Sequence, residues 1–163
     1  MIEFRVGDKA VYPGYGVAEI TGLETREISG SSQQFYVLRL LGKEMTLMVP
    51  TANADSVGLR SLVTAEEVAV VYAVLRKRGE KISTATWNRR YREYTEKIRT
   101  GSLREIAAVL RDLCLLRGDK DLSYGERNML ESARALLVQE LALGQRVTED
   151  AVEKDLLGIF GES

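Results

Sequence analysis

The chain has 163 residues, a length that permits either one medium-sized core or two small modules. Hydrophobic residues make up 45% of the chain and charged residues 29%, which is the composition of a folded globular protein and excludes a disordered one. Histidine is missing, so the commonest general base and the main transition-metal ligand are both lost, which argues against hydrolytic triads and zinc sites.

The net charge of −1 conceals an uneven distribution of charge along the chain. Residues 1–62 are close to neutral, residues 63–118 carry an excess of five positive charges, and residues 119–163 carry an excess of five negative charges. A basic stretch attracts a polyanion such as nucleic acid, while an acidic segment reduces indiscriminate binding. We therefore expect any contact with nucleic acid to lie in the middle of the chain.

Targeting signals and disulfide bonds are not expected. Glu3 stands near the N-terminus and no long apolar run follows it, so the sequence predicts neither a signal peptide nor a membrane span. Cys114 is the single cysteine and is surrounded by leucines, which predicts a buried, inert thiol and no intrachain disulfide. Together these features predict a cytoplasmic protein.

The motifs of common enzyme classes are incomplete. No phosphate-binding loop is present, and the Gly-Tyr-Gly at residues 14–16 lies in a hairpin context instead of a strand-to-helix turn. Residues 119–123 begin like a calcium loop, but Tyr124 stands where that loop needs glycine and Leu130 where it needs an acid. We predict a non-enzymatic protein without catalytic residues, metal, cofactor or small-molecule substrate.

The first third of the chain has the pattern of β-strands. Between residues 9 and 50, short β-branched and aromatic runs alternate with turn residues such as glycine and serine. This pattern predicts a small antiparallel β-barrel within residues 1–62. The predicted strands span residues 10–12, 17–24, 35–41 and 45–49.

The last predicted strand carries apolar side chains on both of its faces. Because side chains alternate along a strand, Met45, Leu47 and Val49 are expected on the core side and Met48 on the opposite side. An apolar side chain that points away from the core suggests an edge at which a partner docks.

Helical signals begin after a connector at residues 51–61. Hydroxyl residues followed three positions later by a carboxylate predict N-terminal capping boxes, and apolar residues recur at helical spacing. We therefore predict an all-α bundle of about five helices over residues 63–163, so that the fold class is α+β, built as two modules. The predicted capping boxes pair Thr64 with Glu67, Ser102 with Glu105, and Ser123 with Glu126. The predicted helices span residues 65–78, 84–99, 103–117, 124–143 and 149–160.

Residues 76–99 combine basic and aromatic side chains, with nine basic residues against three acidic ones. On a helix, Trp87, Tyr91 and Tyr94 share one face because they lie at positions i, i+4 and i+7. Aromatic residues at helical spacing usually form part of a core. The alternative is that arginines hold phosphates while Trp87 meets a base step from the minor groove. We expect an intermediate arrangement in which both tyrosines are buried and Trp87 is partly exposed. The basic residues expected to contact DNA are Arg89, Arg90, Arg92 and Lys97.

Four separated blocks of the sequence resemble the bacterial CarD/CdnL transcription regulators, in the right order and over nearly the whole chain. The resemblance implies a Tudor-like (SH3-like) N-terminal domain, shared with transcription-repair coupling factors, that binds the RNA polymerase β subunit. It also implies a helical C-terminal domain that touches promoter DNA. The matching blocks are FRVGDKAVYPGYGV at residues 4–17, SVGLR at 56–60, TWNRRYR at 86–92 and GDKDLSYGE at 118–126.

The resemblance also implies roles for residues of the helical domain. The family tryptophan that matches Trp87 lies at the upstream edge of the melted promoter and stabilises the open complex, while residues matching Arg89 and Arg90 contact the DNA backbone. Tyr124 matches an aromatic position that forms an exposed apolar patch with the tryptophan, and Thr95 stands where some relatives carry methionine. The chain lacks the AT-hook-bearing tail of larger members and so resembles the short CdnL-type form.

In the N-terminal domain, the resemblance implies a polymerase-docking region that contains Arg26, Met48, Val49 and Pro50. Some relatives carry arginine where this chain has Met48.

The resulting hypothesis is a transcription initiation regulator that joins RNA polymerase to promoter DNA and associates with the nucleoid through the polymerase. The alternative hypothesis is a protein–protein adaptor whose helical domain binds another protein and whose basic surface does not bind DNA.

Overall fold

A computed structural model describes residues 3–77, 87–100, 102–119 and 121–161. In this part of the chain, a five-stranded antiparallel sheet is followed by five α-helices, which confirms the predicted fold class. Contacts between Cα atoms divide the chain into two compact units, Met1–Leu62 and Val63–Ser163. Each unit has its own hydrophobic core.

The sheet of the first unit has the order β4-β3-β2-β1-β5, and every neighbouring pair is antiparallel. Strands β4 and β5 therefore form its two edges. Ile20, Leu38 and Leu40 are fully buried at its centre. The strands are β1 (Lys9–Tyr12), β2 (Gly16–Ile28), β3 (Ser31–Leu40), β4 (Thr46–Pro50) and β5 (Arg60–Ser61).

Strands β2 and β3 form a longer hairpin than the sequence pattern predicts. The predicted strands leave residues 25–34 as a connection, but the ladder runs on to the pair Ile28 and Ser31. The outer part of the hairpin is polar and exposed, so it lacks the hydrophobic alternation on which the prediction depended. Ser29 and Gly30 both have positive φ, as a type I′ hairpin turn requires.

Strand β4 begins one residue later than predicted. Met45 is 42% exposed and precedes the strand, so the expectation that it faces the core is wrong. Its position in the turn between β3 and β4 takes it out of the alternating pattern that governs Leu47 and Val49. Leu47 and Val49 do pack in the core of the sheet, whereas Met48 is half-buried.

The second unit contains the helices, and their bounds agree with the predictions to within about two residues where the structure describes them. The predicted continuation of the first helix to residue 78 and the predicted start of the second at residue 84 lie outside the described residues. The helices are α1 (Ala65–Arg76), α2 (Trp87–Arg99), α3 (Leu103–Asp119), α4 (Tyr124–Gln145) and α5 (Glu149–Phe160).

Capping residues define the N-terminal ends of three helices. The boxes Thr64–Glu67 and Ser123–Glu126 are both reciprocal: each hydroxyl accepts from the N3 backbone, and each carboxylate accepts from the N-cap backbone. Thr148 accepts from the Ala151 N–H at the start of α5. The predicted box between Ser102 and Glu105 remains a prediction.

The helical core is formed mainly by leucine, and two buried polar side chains fix chain segments against it. Arg111 donates to the Val74 carbonyl at the end of α1 at 3.3 Å, and Glu140 accepts from the Val63 N–H at 2.9 Å. Such bonds satisfy backbone groups that burial would otherwise leave without water. Cys114 is half-buried against the core, and this burial raises the pKa of its thiol. The largest fully buried apolar side chains are Leu75, Leu110, Leu113, Leu137 and Leu141.

The described residues carry no sign of a membrane span or a metal site. None of their helices is both long and apolar enough to cross a bilayer. Nor do they bring together three or more cysteine, aspartate or glutamate side chains in a group that could hold a metal ion.

Candidate functional site

Helix α2 contains the predicted DNA-binding residues and is the most polar of the helices. It buries Arg90 and Tyr94, and its partly buried Trp87 and Ile98 pack against the helical core. Most of its remaining side chains are exposed. The helix therefore rests on the bundle along one narrow stripe and presents a broad basic surface.

Trp87 is the first residue of α2 and is partly exposed, as expected. Its indole makes an edge-on contact with Tyr91, with ring centroids 5.7 Å apart, and a tilted contact with Tyr94 at 6.4 Å. On α4, the Gly125 backbone approaches so closely that an added Cβ would lie 3.0 Å from the indole nitrogen. Aromatic neighbours and backbone thus hold a side chain that is still partly open to solvent.

The two tyrosines of the stripe have different environments. Tyr94 is buried, as expected; burial raises the pKa of its phenol, the Asp112 carboxylate adds to this rise, and a hydrogen bond from Arg90 opposes it. Tyr91 is 49% exposed, so the expectation that it is buried is wrong. It lies at the margin of the stripe that faces the bundle, where helical spacing alone does not decide burial.

Arg90 is buried, which differs from its predicted role as a surface contact for phosphate. Its guanidinium donates to the Glu126 carboxylate on α4 at 3.1 Å and lies 5.2 Å from the centre of the Trp87 ring. The exposed fractions of the Arg90 and Glu126 side chains are 9% and 2%. In this arrangement Arg90 contacts the bundle instead of the solvent, because its charge is matched by an acid 36 residues further along the chain.

The other three predicted basic residues lie at the surface. Arg89 and Arg92 are exposed, and Arg89 forms a loose ion pair with Glu93 at 3.8 Å. Lys97 is half-buried, with its ammonium 4.0 Å from the Glu105 carboxylate of α3. An exposed pair of this kind is weak, so Arg89 can exchange the Glu93 carboxylate for a phosphate at little cost.

Tyr124 begins α4 and is the most exposed large hydrophobic residue of the described chain, at 74%. It directly precedes Gly125, the residue that approaches the Trp87 indole. Trp87 and Tyr124 thus begin helices α2 and α4, and Gly125 beside Tyr124 meets the indole, but the apolar patch of the two side chains stays a prediction. The exposed Tyr91 extends the aromatic surface of Trp87, and only its position at the edge of the helical stripe could have indicated this.

The predicted polymerase-docking residues lie at and near the β4 edge of the sheet. The register pairs Val37 with Met48 and Phe35 with Pro50, and residues directly opposite each other share a face. Along β2 the same face carries Glu24 and Arg26, which pair with Phe35 and Gln33. This face of the sheet thus joins Arg26, Met48 and Pro50, and adds the half-buried Phe35 and Val37, which the sequence analysis missed.

Val49 is the exception among the predicted docking residues. Its side chain is 3% exposed and packs in the core, so it cannot form a side-chain contact with a partner. The strict alternation of β4 accounts for this, since Met48 and Pro50 face the other way. Arg26 lies near the end of the exposed hairpin and hydrogen-bonds to Glu24 at 3.2 Å.

Two family models match this chain and correspond to its two units. Residues 4–63 match the CarD-like/TRCF RID domain, and residues 70–157 match the C-terminal domain of CarD. Among solved structures, CdnLNt from Myxococcus xanthus is 49% identical and covers 39% of this chain and 89% of its own, with a TM-score of 0.33. The 72-residue N-terminal domain of Myxococcus xanthus CarD is 28% identical, with coverages of 37% and 81% and a TM-score of 0.33.

A full-length relative supports the same relationship. The putative transcription factor YdeB of Bacillus subtilis (strain 168) is 33% identical over 150 residues, which cover 92% of this chain and 97% of the relative. The C-terminal family model alone spans more than half of the chain. The chain therefore belongs to the CarD-like family of transcription factors.

Proposed function

We propose that this protein regulates transcription initiation by binding the RNA polymerase β subunit with its first unit and promoter DNA with α2. The observation that carries the proposal is the start of α2, where a partly exposed tryptophan is followed by the exposed Arg89 and Arg92. Arginine side chains position a protein on the phosphate backbone, while apolar side chains can enter the minor groove at a base step.

Trp87 acts in this proposal as a wedge at the upstream edge of the melted promoter. A side chain that contacts only opened or distorted DNA shifts the equilibrium between closed and open complexes by its difference in affinity for the two. No reaction is catalysed. The contacts to Tyr91 and Tyr94 restrict the indole, so that less conformational entropy is lost when it meets DNA.

The first unit binds RNA polymerase in this proposal through the β4 edge, consistent with its match to the RID domain. An edge strand presents backbone groups to which a strand of the partner can pair, and neighbouring side chains give specificity. Met48, Pro50 and Arg26 supply those side chains on one face of the sheet. Docking of this unit would raise the effective concentration of α2 at the promoter and bring the protein to the nucleoid.

The proposal is tested by the lifetime of open complexes on a weak promoter. Trp87→Ala should shorten that lifetime about ten-fold, because loss of an aromatic contact to a base costs ~1–3 kcal/mol. Trp87→Phe, which keeps an aromatic ring, should retain part of the effect. Circular dichroism of both variants controls for folding. An unchanged lifetime in the Trp87→Ala variant would refute the wedge.

A second candidate function is a protein–protein adaptor, in which the aromatic surface binds another protein. The exposure of Tyr124 at 74% and of Tyr91 at 49% favours it, because aromatic residues are enriched in protein interfaces. In that case, replacing Arg89 and Arg92 together with glutamine would leave the footprint of the polymerase-bound protein on promoter DNA unchanged. Under the proposed function, the double substitution weakens this footprint, and more salt weakens it further.

A further inference from the structure

Helix α2 depends on very few side chains for its attachment to the bundle. Along Trp87–Arg99 it buries two side chains, those of Arg90 and Tyr94. One of the two is charged, so the docking of α2 is partly ionic instead of purely hydrophobic. A change in the charge opposite Arg90 should therefore move the start of the helix, where Trp87 lies.

The partner of Arg90 is fixed by its own helix. One carboxylate oxygen of Glu126 accepts from the Ser123 N–H at 2.9 Å in the capping box of α4, and the other accepts from Arg90 at 3.1 Å. The capping bond holds the carboxylate at the first turn of α4, so it cannot follow Arg90 if α2 moves. The pair therefore ties the first turn of α2 to the first turn of α4.

The same two turns hold the Trp87 indole between them. The Arg90 guanidinium lies 5.2 Å from the ring centre, within the range of a cation–π contact. On the side of α4, Gly125 leaves room for the indole, since a Cβ there would lie 3.0 to 3.4 Å from three atoms of the ring. The indole is thus held by a buried cation from its own helix and by a glycine of the neighbouring helix.

We propose that Arg90, Glu126 and Gly125 are positioning residues that present Trp87, and that Arg90 acts on DNA through Trp87 and not as a phosphate contact. This inference rests on the proposed function of Trp87. It divides the two adjacent arginines by role: Arg89, at the surface, contacts phosphate, whereas Arg90, buried against Glu126, sets the position of the wedge.

Glu126→Gln distinguishes the two possible roles of Arg90, because they predict opposite changes in the affinity for the promoter. Glutamine still serves in a capping box, so the start of α4 is retained while the charge opposite Arg90 is lost. If Arg90 were a phosphate contact, this variant would release its guanidinium and tighten promoter binding. If Arg90 positions Trp87, the variant should weaken promoter binding about five-fold or more, as expected for partial loss of an aromatic contact.

The salt dependence of promoter binding, measured with the polymerase-bound protein, separates the arginines further. Arg89→Gln should lower the slope of log affinity against log salt by about 1, since one phosphate contact is lost. Arg90→Gln and Glu126→Gln should weaken binding without lowering that slope. A lowered slope in Arg90→Gln, or tighter binding by Glu126→Gln, would overturn the proposal.

Trp87 also reports its own position, because it is the only tryptophan of the chain. In the free protein, Arg90→Gln and Glu126→Gln should shift its emission to the red and increase its quenching by acrylamide. Arg89→Gln is the matched control and should change neither. Unchanged fluorescence in both Arg90→Gln and Glu126→Gln would contradict the positioning role, whatever the promoter assays give.

Gly125→Ala tests the other side of the indole without altering any charge. Its Cβ would meet the ring, so the tryptophan emission should shift and promoter opening should weaken. Gly158→Ala is the matched control, since a Cβ there meets nothing within 4 Å. Equal spectra for the two variants would overturn the role of Gly125. If the spectra change as expected but Trp87→Ala leaves promoter opening intact, the positioning holds and the proposed function fails.

Discussion

The burial of Trp87 and that of Arg90 are both the reverse of what is usual for their residue types. A tryptophan at helical spacing is usually buried, yet Trp87 is partly exposed; an arginine is rarely buried, yet Arg90 is buried. The buried arginine is stabilised by Glu126, and the Trp87 ring lies 5.2 Å from its guanidinium. The burial of Arg90 thus contributes to the position of the indole.

The stability of the protein should depend strongly on this buried pair. Arg90→Ala leaves the Glu126 charge buried without its partner, so we expect the free energy of unfolding to fall by about 3–5 kcal/mol. Arg89→Ala removes only an exposed pair and should cost about 0.5 kcal/mol or less. Urea denaturation followed by circular dichroism measures both. Equal costs for the two substitutions would contradict the burial of Arg90.

At the scale of single residues, predictions from the sequence agree with the structure where helical spacing determines the environment of a side chain. They differ from it where a residue distant in the chain determines that environment. The shared face of Trp87, Tyr91 and Tyr94 follows from helical period, and the aromatic contacts agree with it. The burial of Arg90 depends on Glu126, which no local pattern connects to it. Helical spacing predicts that Tyr91 is buried with Tyr94, but spacing alone does not decide burial at the margin of the stripe.

The two faces of strand β4 have different surroundings. Its alternation places Val49 in the core and Met48 on the face that also carries Arg26 and Pro50. As an edge strand it also has one side without a neighbouring strand in the sheet. The sequence pattern predicted the alternation correctly, but the start of the strand after Met45 depends on a turn that hydrophobicity does not reveal.

The two faces of β4 should respond differently to truncation. Val49→Ala removes two buried methyl groups and should lower the free energy of unfolding by about 2 kcal/mol. Met48→Ala should cost less than about 1 kcal/mol yet weaken binding to the polymerase β subunit. Urea denaturation and titration of immobilised polymerase test the pair. A stability loss for Met48→Ala as large as that for Val49→Ala would refute the assignment of faces.

Helices α1 and α5 are joined by Tyr72, whose hydroxyl donates to the Asp155 carboxylate at 2.9 Å. Burial raises the pKa of the Tyr72 phenol; the Gln145 hydrogen bond opposes this rise, while Asp155 adds to it. The folded state therefore holds this proton more tightly than the unfolded chain. The resulting stabilisation is complete below the pKa of a free tyrosine, about 10, and is lost as the pH rises through the folded pKa.

Tyr72→Phe should consequently reduce the alkaline sensitivity of the fold. At neutral pH we expect a loss of about 1 kcal/mol, because the hydrogen bond to Asp155 is removed. Above about pH 10 the variant should lose less stability than the wild type. Urea midpoints measured across this range provide the test. Parallel curves for the two proteins would show that Tyr72 does not contribute to the pH dependence.

At the scale of the whole molecule, the chain joins two units of different composition. The first is a nearly neutral antiparallel sheet, and the second is a helical bundle whose basic residues are concentrated before residue 119. Turn spacing and capping signals were sufficient to predict both units, because these signals are local. Family resemblance implies exposure of Trp87 and Tyr124, since composition alone favours burial of tryptophan, but neither it nor helical spacing predicts the exposure of Tyr91.

Because the two proposed binding units belong to one chain, we expect promoter opening to depend on their covalent connection. Met48→Ala and Arg89→Gln lie in different units, and their effects on promoter opening should add in free energy if each weakens one of two linked binding steps. Open-complex lifetimes of the two single variants and the double variant form the required cycle. A double variant no worse than either single variant would contradict linked binding.

The central claim, that Trp87 meets promoter DNA in the polymerase complex, is tested most directly by crosslinking from position 87. A photoreactive phenylalanine derivative replaces Trp87, and the complex is irradiated on a promoter labelled in both strands. We predict crosslinks to DNA at the upstream edge of the melted region. Crosslinks to polypeptide alone would contradict the account and favour the adaptor.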